Sequence, residues 1–100
     1  MHEHHLPWDD LRTILAITRA GSLSGAARRL GCSHATVFRR LGAVEALLGV
    51  RLFERGRTGY VATAAGEDVA AAAARIESEV LGIEGRVAGR DLLPSGTVRV

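Results

Sequence analysis

Between Ala26 and Leu48 the chain sets two stretches of helical periodicity on either side of a three-residue break, Gly31-Cys32-Ser33. So short a connection forces two helices to cross steeply and to bury their facing sides against each other. The residues at the crossing suit that demand. Ala26 and Ala27 let the following helix approach closely, Gly31 can take the positive φ such a turn requires, and Cys32 is expected to fill the core beneath it. Ser22 and Ser33 each stand where a hydroxyl can accept an orphan backbone N–H at a helix start. The buried stripe of the earlier helix is Ala26, Ala27 and Leu30, and that of the later one is Val37, Leu41, Val44 and Leu48, ended by Gly49. Upstream, Pro7 and Asp9 mark a helix start, Trp8, Leu11, Leu15 and Thr18 follow at helical spacing, and Gly21 closes the segment. Three helices joined in this way make either a helix-turn-helix or another three-helix bundle, since both use the same caps and small residues.

The outer face of the third helix favours DNA. Opposite Val37, Leu41 and Val44 runs a row of Ala35, Arg39, Gly42 and Ala46, with His34 and Phe38 on one flank and Thr36 and Arg40 on the other. His34, Thr36 and Arg39 are placed for base edges, and a bidentate Arg39–guanine pair is worth ~1–3 kcal/mol of discrimination. Arg40, Arg28 and Arg29 suit phosphates, which hold register without reading sequence. The charge distribution agrees. All 13 Lys-or-Arg cations are arginines, set against 11 carboxylates for a net charge of only +2. Residues 11–60 hold nine arginines and two glutamates, for +7, between a −3 start and a −2 remainder. A compact basic segment beside an acidic one points to a polyanion-binding head on a non-binding element, although a solvated arginine surface carries the same charge. Without lysine, every cationic contact to DNA must come from arginine, whose planar fork suits guanine and phosphate, or from a protonated histidine.

Val50 to Arg55 and Tyr60 to Thr63 flank the turn Gly56-Arg57-Thr58-Gly59 and read as a two-stranded hairpin. With Arg55 and Arg57 at its tip, directly after the third helix, it is expected to be a wing reaching the neighbouring minor groove or backbone. Leu52 and Phe53 are expected to close the core. From Thr63 to about Arg90, Val69, Ala73, Ile76, Val80, Ile83 and Val87 follow at spacings of four, three, four, three and four. A repeat of about 3.5 residues sustained over roughly three heptads needs a cover. A second copy of the helix supplies one, giving a homodimer; folding back on the chain's own head is the other way to cover it. Gly82, Gly85 and Gly89 cost about 1 kcal/mol each in a helix interior and predict fraying or bending there.

No apolar run approaches the ~20 residues of a membrane span. Met1-His2-Glu3-His4-His5 lacks the basic start and apolar stretch of a signal peptide, and a lone Cys32 excludes an intramolecular disulfide, so the expected location is the cytoplasm. His2, His4, His5 and Cys32 show no zinc-ligand spacing and no nucleophile–base set; no metal, cofactor or catalytic site is expected. The expected organisation is a disordered tail over 1–7, a winged helix-turn-helix over 8–62, a dimerisation helix over 63–90, and over 91–100 a linker and the first strand of another domain. The fold class is mainly α: three helices plus a two-stranded wing, then a long helix.

Four stretches in this order and spacing carry a resemblance: Gly21 to Leu30, Ser33 to Arg39, Glu45 to Arg55, and Thr63 to Glu67. From about Trp8 to Arg90 the chain resembles the N-terminal domain of LysR-type transcriptional regulators. The resemblance implies sequence-specific binding of double-stranded DNA by a homodimeric head, with a tetramer open to a full-length protein and a small-molecule effector held only by a further C-terminal domain. It implies DNA contacts from Ser33, His34, Ala35, Thr36, Phe38, Arg39, Arg40, Arg28, Arg55, Arg57 and Thr58, and dimerisation through the six heptad positions. Family members usually carry glutamine at His34 and a small serine at Phe38, and their wing arginine commonly falls at Thr58. Glutamine pairs bidentately with adenine, whereas histidine offers one donor or acceptor at a time and phenylalanine can touch a thymine methyl, so base preference is expected to be atypical. The competing reading is a protein-interaction module in which the heptad helix is the active part and the basic head does not read DNA.

Overall fold

The computed structural model describes residues 6–92, in the order α1 (Trp8–Ala20), α2 (Leu23–Leu30), α3 (His34–Leu48), β1 (Phe53–Arg55), β2 (Tyr60–Ala62) and α4 (Ala64–Leu92). Helix α1 starts after Pro7, carries Asp9 and Asp10 in its first turn, where the helix dipole favours negative charge, and ends at Gly21 with φ 75°. Its five consecutive residues Thr13 to Ile17 are all buried, Ile14 and Ile17 completely. Over that middle turn the helix is buried all round, and α1 packs against α2, α3, β2 and α4. That corrects the single stripe expected for it. Leu15 is buried, but Thr18 is exposed and its hydroxyl donates to the Ile14 carbonyl at 3.0 Å, while Ile14 and Ile17 take the central positions.

The turn between α2 and α3 forms as its residues dictate. The Ser22 hydroxyl accepts the Gly25 N–H at 3.0 Å, Gly31 adopts φ 70°, and the N–H groups of Gly31 and Cys32 both reach the Ala27 carbonyl. Cys32 is half-buried against the main core, where Ala26, Val37, Leu41, Val44, Leu52 and Phe53 meet Ile14 and Ile17. Leu48, expected on the inner row, is 37% exposed instead, because the buried positions of α3 end at Val44 and the chain turns away through Gly49.

Strands β1 and β2 pair antiparallel, with Phe53 opposite Ala62 and Arg55 opposite Tyr60. The Tyr60 N–H donates to the Gly21 carbonyl at 3.0 Å, which fastens the hairpin to the α1–α2 turn. Thr63 joins the hairpin to α4. Its hydroxyl donates to the Arg51 carbonyl at 2.7 Å and accepts the Gly66 N–H at 3.1 Å, so one side chain caps the helix and ties it to the strand entrance. Gly66 is buried where a Cβ would overlap the Leu52 carbonyl oxygen.

Helix α4 divides the expected stripe. Ala70 and Ala73 pack on Leu15 among Trp8, Leu11 and Ala74, and Val69 packs on the main core. Val69 and Ala73, expected to face a second copy, are therefore covered by the chain's own head. Ile76, Ile83 and Val87 remain exposed and Val80 half-buried. At 3.6 residues per turn the face built on Ala70, Ala73 and Glu77 lies roughly a quarter turn from that built on Ile76, Ile83 and Val87, a separation that a heptad count alone does not display. The helix runs unbroken through Gly82, Gly85 and Gly89 to Leu92, past the expected end at Arg90. Leu6, expected in a disordered tail, packs against the core. The rest of that tail, residues 1–5, and the expected linker and strand over 93–100 lie outside the described residues.

Replacing Gly66 by alanine is expected to destabilise the fold by about 1–3 kcal/mol, because the added methyl must displace a backbone carbonyl. Urea unfolding checks this; a loss below about 0.5 kcal/mol would contradict the close crossing.

Candidate nucleic-acid interface

Helix α3 is seated by Val37, Leu41 and Val44 in the core and capped at its first turn by Ser33. The Ser33 oxygen accepts the Thr36 N–H at 3.1 Å while its hydroxyl donates to Thr36 Oγ1 at 2.9 Å. Thr36 is half-buried and partly spent on this cap, keeping its own hydroxyl proton to donate. His34, Ala35, Phe38 and Arg39 are exposed on the outward side, followed by Gly42, Ala43 and Ala46, which add almost no bulk. Arg40 is half-buried and Arg28 exposed. Phe38 is 60% exposed, far from the core position an aromatic of its size ordinarily takes.

The wing holds its arginines in two different ways. Arg57 and Thr58 are exposed in the turn, as expected of a tip. Arg55 instead ends β1, with its guanidinium carbon 5.6 Å from the centroid of the Tyr60 ring, and Tyr60 meets Phe53 edge to face at 6.2 Å. Arg55 thus stands at the tip end of β1, directly before the turn, where cross-strand pairing with Tyr60 puts its side chain over that ring. From there Arg55 borders two hollows, one shared with Ser22, Ser24 and His34, the other with Phe38, Arg51 and Phe53. The fold therefore gathers His34, Phe38 and Arg55 along one side of α3.

Other arginines point elsewhere. Among the described residues the ion pairs are Arg12–Asp9 at 3.5 Å and Arg19–Glu77 at 3.0 Å, the second a two-pronged contact joining α1 to α4. Arg29, exposed like Arg28, borders the same hollow as Arg12, Arg19 and Glu77, on the α1–α4 side of the head. Exposed pairs of this kind are worth about 0–1 kcal/mol, but they withdraw positive charge from the segment counted as +7.

Two supporting residues escaped the sequence reading. The Glu45 carboxylate accepts the Leu52 N–H at 2.8 Å, bridging from α3 to the strand entrance, and Tyr60 serves as the platform for Arg55. Glu45 did carry a signal, being the only carboxylate between Asp10 and Glu54 in an arginine-rich stretch. No helix among the described residues is long and apolar enough to cross a membrane.

Residues 8–67 match the family described as bacterial regulatory helix-turn-helix protein, lysR family. Over 62 residues the chain is 53% identical to an uncharacterised HTH-type transcriptional regulator of Mycobacterium tuberculosis, a match covering 62% of this chain and 20% of that protein. Among solved structures, CbnR, a LysR family transcriptional regulator, is similar with a TM-score of 0.69 at 36% identity, covering 86% of this chain and 28% of that one. A CbnR DBD–DNA complex gives a TM-score of 0.68 at 34% identity, covering 94% of this chain and 100% of the CbnR chain. The chain spans about a fifth of the length of the curated relatives it matches first.

Because Glu45 is a charged acceptor for a partly buried N–H, Glu45→Ala is expected to cost about 1.5–3 kcal/mol in urea unfolding. Glu45→Gln, which keeps an acceptor, should cost less; equal stability of all three proteins would remove Glu45 from the wing's support.

Proposed function

The chain belongs to the LysR family of bacterial regulatory helix-turn-helix proteins, and from that premise we propose that it binds double-stranded DNA sequence-specifically, as the dimeric head of a transcriptional regulator. The observation that carries this reading is the outward side of α3. A serine-capped helix there presents His34, Phe38 and Arg39 beside small residues, with Arg55 held on the same side by the wing. Inserted in a major groove, α3 puts Arg39 toward base edges, where its fork matches guanine O6 and N7. Arg28, Arg40, Arg55 and Arg57 take phosphates and fix the register.

The second element of the proposal is self-association through α4. Its buried face is filled by its own head, so the partner meets Ile76, Val80, Ile83 and Val87. Two such helices side by side bury apolar surface that one chain leaves in water. An effector, in this reading, acts through a further domain following α4, and the complete regulator works in the cytoplasm.

Duplex affinity measured by fluorescence anisotropy should fall steeply with salt, by roughly ten-thousandfold for a fourfold rise in salt if the four named arginines of each of the two heads each neutralise a phosphate. A flat response would remove the electrostatic part of the proposal. Arg39→Ala should narrow the gap between a selected site and random DNA by about 1–3 kcal/mol, whereas Arg57→Ala should weaken both alike. An unchanged specificity ratio in Arg39→Ala would rule Arg39 out as a base reader. For the dimer, Ile83→Glu should shift sedimentation toward the monomer while leaving the fold of the head intact, since Ile83 is exposed in the single chain; an unaltered association constant would place the interface elsewhere.

A further inference from the structure

Phe38 stands out on the interface as an apolar group with nothing of its own chain to cover it. It is 60% exposed, one residue before Arg39 and one helical turn after His34, in the half of α3 nearest its N-terminus. Two of its neighbours along the helix face are small. Ala35 precedes it by one turn, and Gly42 follows by one turn with open space where a Cβ would stand. The ring therefore protrudes from a face that a groove can otherwise approach closely. On its wing side it borders a hollow lined by Arg51 and Arg55 together with Leu41, Glu45, Phe53 and Tyr60; the two guanidiniums outnumber the one carboxylate, which is engaged with the Leu52 N–H, so the net charge there favours a polyanion.

Within a major groove the edges of the bases present hydrogen-bond donors and acceptors and one apolar group, the C5 methyl of thymine. A phenyl ring has no hydrogen-bonding atom, and placed against a donor or acceptor it leaves that group unpaired, at a cost. Only the methyl offers it a favourable contact. We infer that Phe38 is a specificity-determining residue of this chain that reads a thymine C5 methyl, at a position beside the base pair met by Arg39 and on the side of the wing. The inference rests on the DNA-binding reading above and adds to it a base identity carried by apolar contact rather than by hydrogen bonds. Arg55, over the Tyr60 ring and bordering the same hollow, is placed to hold a phosphate near that position.

The test starts from duplexes selected out of a random library by the full 100-residue chain. Each thymine of the selected site is replaced in turn by deoxyuridine, which removes the methyl and nothing else. For one thymine per half-site the unmodified protein should lose about fourfold in affinity, the value of one buried methyl-sized group. Phe38→Ala should bind the same site more weakly and be indifferent to that replacement. When the thymine is instead replaced by cytosine, methylating that cytosine at C5 should restore part of the lost affinity for the unmodified protein and none for Phe38→Ala. Because Phe38 is exposed, both proteins should melt alike, which separates lost reading from lost folding. Salt-sensitive, site-selective binding with no thymine whose methyl distinguishes the two proteins would overturn the Phe38 assignment while leaving the DNA-binding reading in place. Selection that recovers no bound duplex would overturn both.

Discussion

The complete burial of Ile14 and Ile17 is the contact on which the other elements converge. Fully burying two isoleucine side chains contributes about 1.5–3 kcal/mol each, but their positional effect matters more than their share of stability. Helix α1 packs against both the helix that would enter a groove and the helix that would join two heads. A cavity opened at Ile17 would loosen the seat of α3 through Val37 and Leu41, all members of the same cluster. The interface residues themselves contribute little to that core, which leaves them open to change without loss of the fold.

The legible parts of the chain were those decided locally. Ser22, Ser33, Gly31 and Gly49 act through hydrogen bonds and dihedrals within a few residues of themselves, so spacing revealed them, and the hairpin followed from its turn. The parts that stayed hidden are those set by neighbours distant in sequence. Helix α1 shows a weak single stripe because Thr13 to Ile17 serve several partners at once. The division of α4 into a head face and an exposed face depends on where the head ends, which no periodicity encodes. Charge counting likewise found the basic segment but not its internal traffic: Arg19 answers to Glu77, 58 residues away, and Arg29 sits on that side too.

On the interface, the sequence identified the residue types and the structure arranged them. His34 and Phe38 came from the flank of α3, and Arg55 from the strand that leads into the wing tip. Stacking on Tyr60 gives Arg55 a defined position before any ligand arrives, so less side-chain freedom remains to be lost on contact with a phosphate. Arg57 and Thr58 have the opposite character, being exposed in a turn. One wing thus combines a positioned cation with an adaptable one.

The separation of the two faces on α4 bears on how paired heads would be aimed. With one face locked to the head by Ala70, Ala73 and Glu77, the direction of Ile76, Ile83 and Val87 around the helix axis becomes a dial for the partner's bearing. Adding a single residue after Glu77 would turn each head by about 100° relative to the shared α4 contact, whereas adding seven would nearly restore the angle and lengthen each arm by about 10 Å. Half-site geometry would then be written in the phase of an α-helix, adjustable by insertion length without touching any residue that meets DNA.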